Sequence, residues 1–148
     1  MDDPAVIVTR GEFLDWCAGE GLVERESVAT VFDLTPQTLR NWERDPDSPV
    51  ARHLVLCAAG LVAWRRAGLG DLPALPDPTP DWFATWRKRR GLRSLAAAAA
   101  LLGLPRQSAS RWVSGGDMPR WLPLACLGAE ATLLSGRTIL GMDFRNQS

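Results

Sequence analysis

The stretches Ser27-Val-Ala-Thr-Val-Phe-Asp-Leu-Thr-Pro-Gln-Thr-Leu-Arg-Asn-Trp-Glu-Arg44 and Ala98-Ala-Ala-Leu-Leu-Gly-Leu-Pro-Arg-Gln-Ser-Ala-Ser-Arg-Trp112 carry one pattern twice. In each, apolar residues recur at helical spacing, pause at a short turn and resume. They are Val28, Phe32, Leu34, Leu39 and Trp42 in the first stretch, and Ala98, Leu102, Leu104, Ala109 and Trp112 in the second. Two helices joined by three or four residues need a small side chain where they cross, and often a glycine in the turn. Ala29 and Ala99 fit the crossing and Gly103 fits the turn. Asp33 takes the place of that glycine in the first stretch, and aspartate tolerates left-handed backbone better than most residues. With the apolar set inward, Pro36, Gln37, Arg40, Asn41 and Arg44 face out in the first stretch. Arg106, Gln107, Ser110, Arg111 and Ser114 face out in the second.

The repetition extends well beyond these stretches. Shifting the chain against itself by 70 positions aligns Thr9 with Thr79 through to Ala59 with Ala129, without a gap. Identical pairs include Phe13/Phe83, Trp16/Trp86, Gly21/Gly91, Leu22/Leu92, Gln37/Gln107, Trp42/Trp112, Pro49/Pro119 and Leu54/Leu124. These are mainly core-forming or turn-forming residues, so the shift describes a repeated unit rather than a shared composition.

Each copy is predicted to hold four to five helices, of which four can be placed. Thr9-Arg10-Gly11-Glu12 is a capping-box pattern, and Thr79-Pro80 is an N-cap followed by proline in the first turn. Gly21 and Gly91 end the first helices. The second helices are expected near Glu26–Phe32 and Leu95–Leu102, and the third near Thr35–Arg44 and Pro105–Ser114. Thr35 can cap its helix, whereas Pro105 cannot. The fourth helices are expected to start at Pro49 and Pro119. Only the tail around Thr138-Ile139-Leu140 could form a strand.

The fold class predicted is all-α, with two small helical domains in tandem. The chain has 148 residues, so each half has a small core. Gly68 to Pro80 holds two Gly and four Pro in thirteen residues, a composition that favours a stiff, extended connector. The expected domains are therefore 1–67 and 81–148, with 68–80 as linker.

Net charge is zero, but the halves differ. Residues 1–80 carry seven Arg against thirteen acidic residues, net −6. Residues 81–148 carry nine Arg and Lys88 against four acidic residues, net +6. The second half alone has the charge expected near phosphate. Cys17, Cys57 and Cys126 are an odd, widely spaced set without paired histidines, which argues against a disulfide framework or a zinc site. Met1-Asp2-Asp3-Pro4 is acidic where a signal peptide would be basic, and Leu95–Leu104 is too short an apolar run to span a bilayer. A cytoplasmic protein with no membrane partner and no cofactor is expected. No phosphate-cradling Gly-rich loop, metal-ligand spacing or nucleophile motif is present, so an enzyme is not expected.

These residues resemble the Cro/λ-repressor-like (XRE-type) helix-turn-helix family, in two tandem copies covering about Thr9 to Trp64 and Thr79 to Leu134. Asn41-Trp42-Glu43-Arg44 is similar to the common close of that family's recognition helix. The resemblance implies double-stranded DNA as partner and a third helix placed in the major groove. Glutamine can pair bidentately with adenine and arginine with guanine. The expected base-contacting residues are Arg106, Gln107, Ser110 and Arg111, with Gln37, Arg40 and Asn41 in the first copy. The expected phosphate contacts are Arg25, Arg44, Arg87, Lys88, Arg89, Arg90 and Arg93.

Plainer readings stand beside these. Arg87 to Arg90 sit at the end of a helix, where cations complement the macrodipole, and the run also reads as a solvated face or as a contact with the acidic first half. Most of the seven Trp suit a core, while Trp82 and Trp121 are candidates for a partner surface. His53 reads as structural or surface, and Cys57 and Cys126 as buried and inert. The function expected is sequence-specific DNA binding by a transcriptional regulator, a repressor, reading the major groove with one or both recognition helices. In the one-helix version only the basic copy reads DNA and the acidic copy serves as a dimerisation or docking module. The alternative is a protein-interaction module that does not bind DNA, docking through the acidic first half. Two units in one chain can mimic a dimer, and a whole-chain homodimer is a further option.

Overall fold

The computed structural model describes Pro4 and residues 7–134. All regular structure among them is helical, apart from one isolated bridge between Thr9 and Pro49. The eight α-helices fall into two sets of four. The first set is α1 (Arg10–Gly19), α2 (Arg25–Phe32), α3 (Pro36–Arg44) and α4 (Arg52–Arg66). The second is α5 (Pro80–Arg89), α6 (Leu95–Leu102), α7 (Arg106–Val113) and α8 (Leu122–Ala129), which runs into a π-helical turn at Glu130–Leu134. The tail around Thr138 lies outside the described residues.

The helix starts follow local chemistry. Thr9 Oγ1 accepts from the Glu12 amide at 3.1 Å, and Glu12 Oε1 accepts from the Thr9 amide at 2.8 Å, closing the capping box. Thr79 Oγ1 accepts from the Trp82 amide at 3.0 Å, with Pro80 opening α5. Thr35 caps α3 through the Thr38 amide, and α7 follows Pro105 with no side-chain cap.

The turns between second and third helices share backbone conformation and hydrogen bonding. Asp33 (φ 57°, ψ 49°) and Gly103 (φ 73°, ψ 34°) are both left-handed. The next amide then closes back onto the helix: Leu34 N to Ala29 O at 2.9 Å, and Leu104 N to Ala99 O at 2.8 Å. Three residues therefore turn the chain in each copy, Asp33–Thr35 and Gly103–Pro105.

The fourth helices start three residues later than expected. In the first copy, Pro46 O and Ser48 O accept from the Gly11 and Arg10 amides, and Val50 N donates to Val8 O at 3.0 Å. Residues 46–50 thus satisfy backbone donors left open at the start of α1, and their turn and bridge postpone α4. In the second copy the Arg120 amide donates to Asp33 Oδ2 at 3.1 Å, so Pro119 belongs to a turn rather than to α8.

Aromatic clusters anchor each copy. Phe13 packs edge-on to Phe32 (5.0 Å) and Trp42 (5.7 Å), and Phe83 packs edge-on to Trp112 (5.7 Å). Trp42 and Trp112 are 6% and 7% exposed, which settles their inward orientation. Each such burial stabilises by roughly 1.5–3 kcal/mol.

The two sets are not separate cores. Their buried residues form one continuous cluster, joined mainly by α4 against α8. Gly60 abuts Leu124 while Gly128 abuts Leu56, so one index rises as the other falls and the helices run antiparallel. Other contacts between the sets follow the same symmetry. The first turn meets the start of α8 (Asp33 with Arg120), and the second turn meets the start of α4 (Gly103 with Arg52). Exchanging each residue for its counterpart 70 positions away reproduces these contacts within about two residues, which is the mark of an approximate two-fold axis. His53 stacks on Trp121 across this boundary at 4.1 Å.

Candidate nucleic-acid interface

The inward stripe of α7, Ala109 and Trp112, leaves the opposite face to polar residues. Arg106, Gln107 and Arg111 are exposed there, with Ser110 half-buried beside them. Among the described residues the side chains of Arg106, Gln107 and Arg111 make no hydrogen bond to the rest of the chain. Arg106 occupies the first turn, directly after the left-handed Gly103 has aimed the helix. Rigid attachment below and unpaired donors above are what base-edge contact requires.

The basic run at the end of α5 divides in two. Lys88, Arg89 and Arg93 are exposed, and Lys88 and Arg93 line an open pocket of about 470 Å³ beside Gly91. Arg87 and Arg90 have partners within the fold. Arg87 lies over the Phe83 ring at 5.8 Å, with Nη1 donating to Leu92 O at 3.5 Å and its Nε buried without a partner. Arg90 donates to Glu130 Oε1, the same atom that accepts from Trp86 Nε1 at 3.0 Å. The structure therefore leaves Lys88, Arg89 and Arg93 at the surface, unpaired among the described residues, half-buries Arg87 against Phe83 and ties the exposed Arg90 to Glu130.

The outer face of α3 is arranged differently. Gln37 Nε2 donates to Asn41 Oδ1 at 2.9 Å, Arg40 Nη2 donates to Gln37 Oε1 at 2.9 Å, and Arg44 Nη2 also donates to Asn41 Oδ1. All four residues are exposed and bonded to one another. Arg25 is committed to Glu43 through two hydrogen bonds of 2.7 Å. Those bonds hold the Glu43 carboxyl below its ordinary range and the Arg25 guanidinium above its own.

The starts of the second helices differ as well. Ser94 caps α6 by accepting from the Ala97 amide at 3.0 Å, next to Arg93. Glu24 and Glu26 hold the corresponding places at the start of α2.

Several contacts could not be anticipated from local pattern. Trp121, a candidate for a partner surface, is half-buried between His53 and Trp112. Trp82 is half-buried against the core. Burial of His53 lowers its pKa from the ordinary value of 6.5. Cys17, Cys57 and Cys126 are all buried and free. No described helix is long and apolar enough to cross a membrane. Comparison of the chain with protein-family models, with curated proteins and with solved structures finds no match.

Proposed function

We propose that this chain is a sequence-specific, double-stranded DNA-binding regulator built from two tandem helix-turn-helix units of the Cro/λ-repressor type, and that it acts as a cytoplasmic repressor. One observation carries this reading. Arg106 and Gln107 stand exposed and unpaired on the first turn of α7, and that helix is fixed from below by Trp112 and Ala109. In a major groove this pair presents donors for guanine and a bidentate amide for adenine. Lys88, Arg89 and Arg93 supply cations for the phosphates on either side. The linker 68–80 would connect the units while α4 and α8 hold them in register.

The test is selection of bound sequences from random duplexes by the full-length chain. A defined motif is expected, and Arg106→Ala/Gln107→Ala should lose it. A doubly substituted chain that selects the parent's motif sinks the assignment. A second reading, a protein-docking module without DNA binding, is favoured by the acidic surface of the first unit. Failure to bind generic duplex even at low salt would decide for it.

A further inference from the structure

Resting on the DNA-binding reading above, we propose that the chain contacts duplex DNA from one side only, through α7 and the basic end of α5, and that the matching face of the first unit stays off the DNA. The backbone is close to two-fold symmetric, yet the chemistry on its two faces is opposite. Residues 79–118 carry seven cations against two acidic residues, net +5, while residues 9–48 carry four against nine, net −5. A duplex presents one negative charge per roughly 1.7 Å of its axis, so it attracts one face and repels the other.

Position by position the difference holds. Pro36, with no donor, stands where the second unit has Arg106. Gln37 matches Gln107, but both ends of its amide are occupied, by Asn41 and by Arg40. Bidentate pairing with adenine requires both of those bonds to break, whereas Gln107 has none to break. Glu24 and Glu26 replace Ser94 and Ala96 at the start of the second helix, where a phosphate would approach. Arg25, the nearest cation to offset them, is held by Glu43.

The experiment uses the full-length chain, Arg106→Ala/Gln107→Ala and Gln37→Ala/Asn41→Ala, with melting curves to establish that each is folded. Binding to the parent's selected duplex is followed by fluorescence anisotropy over a range of salt. The selected motif is expected to be one element without internal two-fold symmetry. The α7 variant should bind roughly ten- to a hundred-fold more weakly, and the α3 variant within about two-fold of the parent. Arg93→Ala should flatten the salt dependence by about 0.9 in logarithmic slope, and Arg44→Ala should leave it unchanged. Equal losses from the two helices, or a palindromic motif bound by a single chain per duplex, overturn one-sided contact while leaving DNA binding intact. A parent chain that selects no duplex overturns both.

Discussion

Gly128→Ala tests the closest contact in the fold. A Cβ on Gly128 would overlap the Leu56 carbonyl oxygen and crowd the Gly60 amide nitrogen at 2.9 Å. Both obstacles are backbone, so no side chain can swing aside. The helices must separate, by roughly 1 Å or more, and a gap of that size forfeits a quarter to a half of each dispersion contact along the seam. That seam is where Leu54, Leu56, Leu61, Leu122 and Leu124 are buried. Overpacking a core typically costs 1–3 kcal/mol, and an obstacle that cannot relax puts this substitution at or above about 3 kcal/mol. For a chain of this length that corresponds to a fall in Tm of roughly 6–12 °C. Gly19→Ala is the matched control. Nothing lies within 4 Å of its new methyl group, and a helical position favours alanine, so it should raise stability by up to about 1 kcal/mol. Thermal unfolding followed by circular dichroism measures both. A Gly128→Ala chain melting within about 2 °C of the parent would refute the intimate α4/α8 contact.

Other consequences are equally direct. Thr9→Ala removes the capping box at α1 and should cost about 1 kcal/mol in urea unfolding, while Thr35→Ala should cost a similar amount at α3. His53 has a folded-state pKa below its ordinary 6.5, so the unfolded chain binds the extra proton more readily. Its contribution should be complete above that value and shrink as pH falls beneath it, and His53→Gln should flatten the dependence of urea midpoint on pH in that window. Burial pushes the Cys17 thiol up to about 12, with Glu20 adding to the shift, and raises Cys57 and Cys126 well above the usual thiol range. All three should resist iodoacetamide at pH 8 until denaturant is added, as read by intact mass, and rapid labelling of the native chain would contradict their burial.

The parts of the fold legible in the sequence are those governed by neighbours in the chain. Caps at Thr9, Thr35 and Thr79 and the Gly103 turn depend on residues within five positions, and each occurs where those residues demand it. Asp33 was recognisable as a glycine substitute for the same reason. The outward set on α7 follows from helical periodicity alone. Contacts between the copies depend on residues about 50 to 90 positions apart and left weaker traces. The late starts of α4 and α8 arise because residues 46–50 serve α1 and Arg120 serves Asp33. Arg90 reads as one member of a cationic run, because nothing local shows that Glu130, 40 positions away, engages it, whereas the Phe83–Arg87 contact is a four-residue spacing on one helix. One signal was available. Leu54 to Val62 is apolar on nearly every side, and a helix of that kind must be covered all round.

That apolar helix explains why the repeat is joined as it is. In α4 every residue from Leu56 to Val62 is buried, including Gly60, and much of the covering comes from α8. A lone first unit would leave that face open to water as an exposed apolar patch. A second copy of the same unit resolves the problem, because two-fold pairing sets one small-residue helix against its own equivalent, with glycine at each point of closest approach. Joining the copies in one chain then frees them to diverge. A symmetric homodimer must place the same charges on both units, whereas a fused pair can keep the α4/α8 seam and give residues 79–118 seven cations and residues 9–48 nine carboxylates. The charge asymmetry is therefore a property that a symmetric homodimer of this architecture cannot hold.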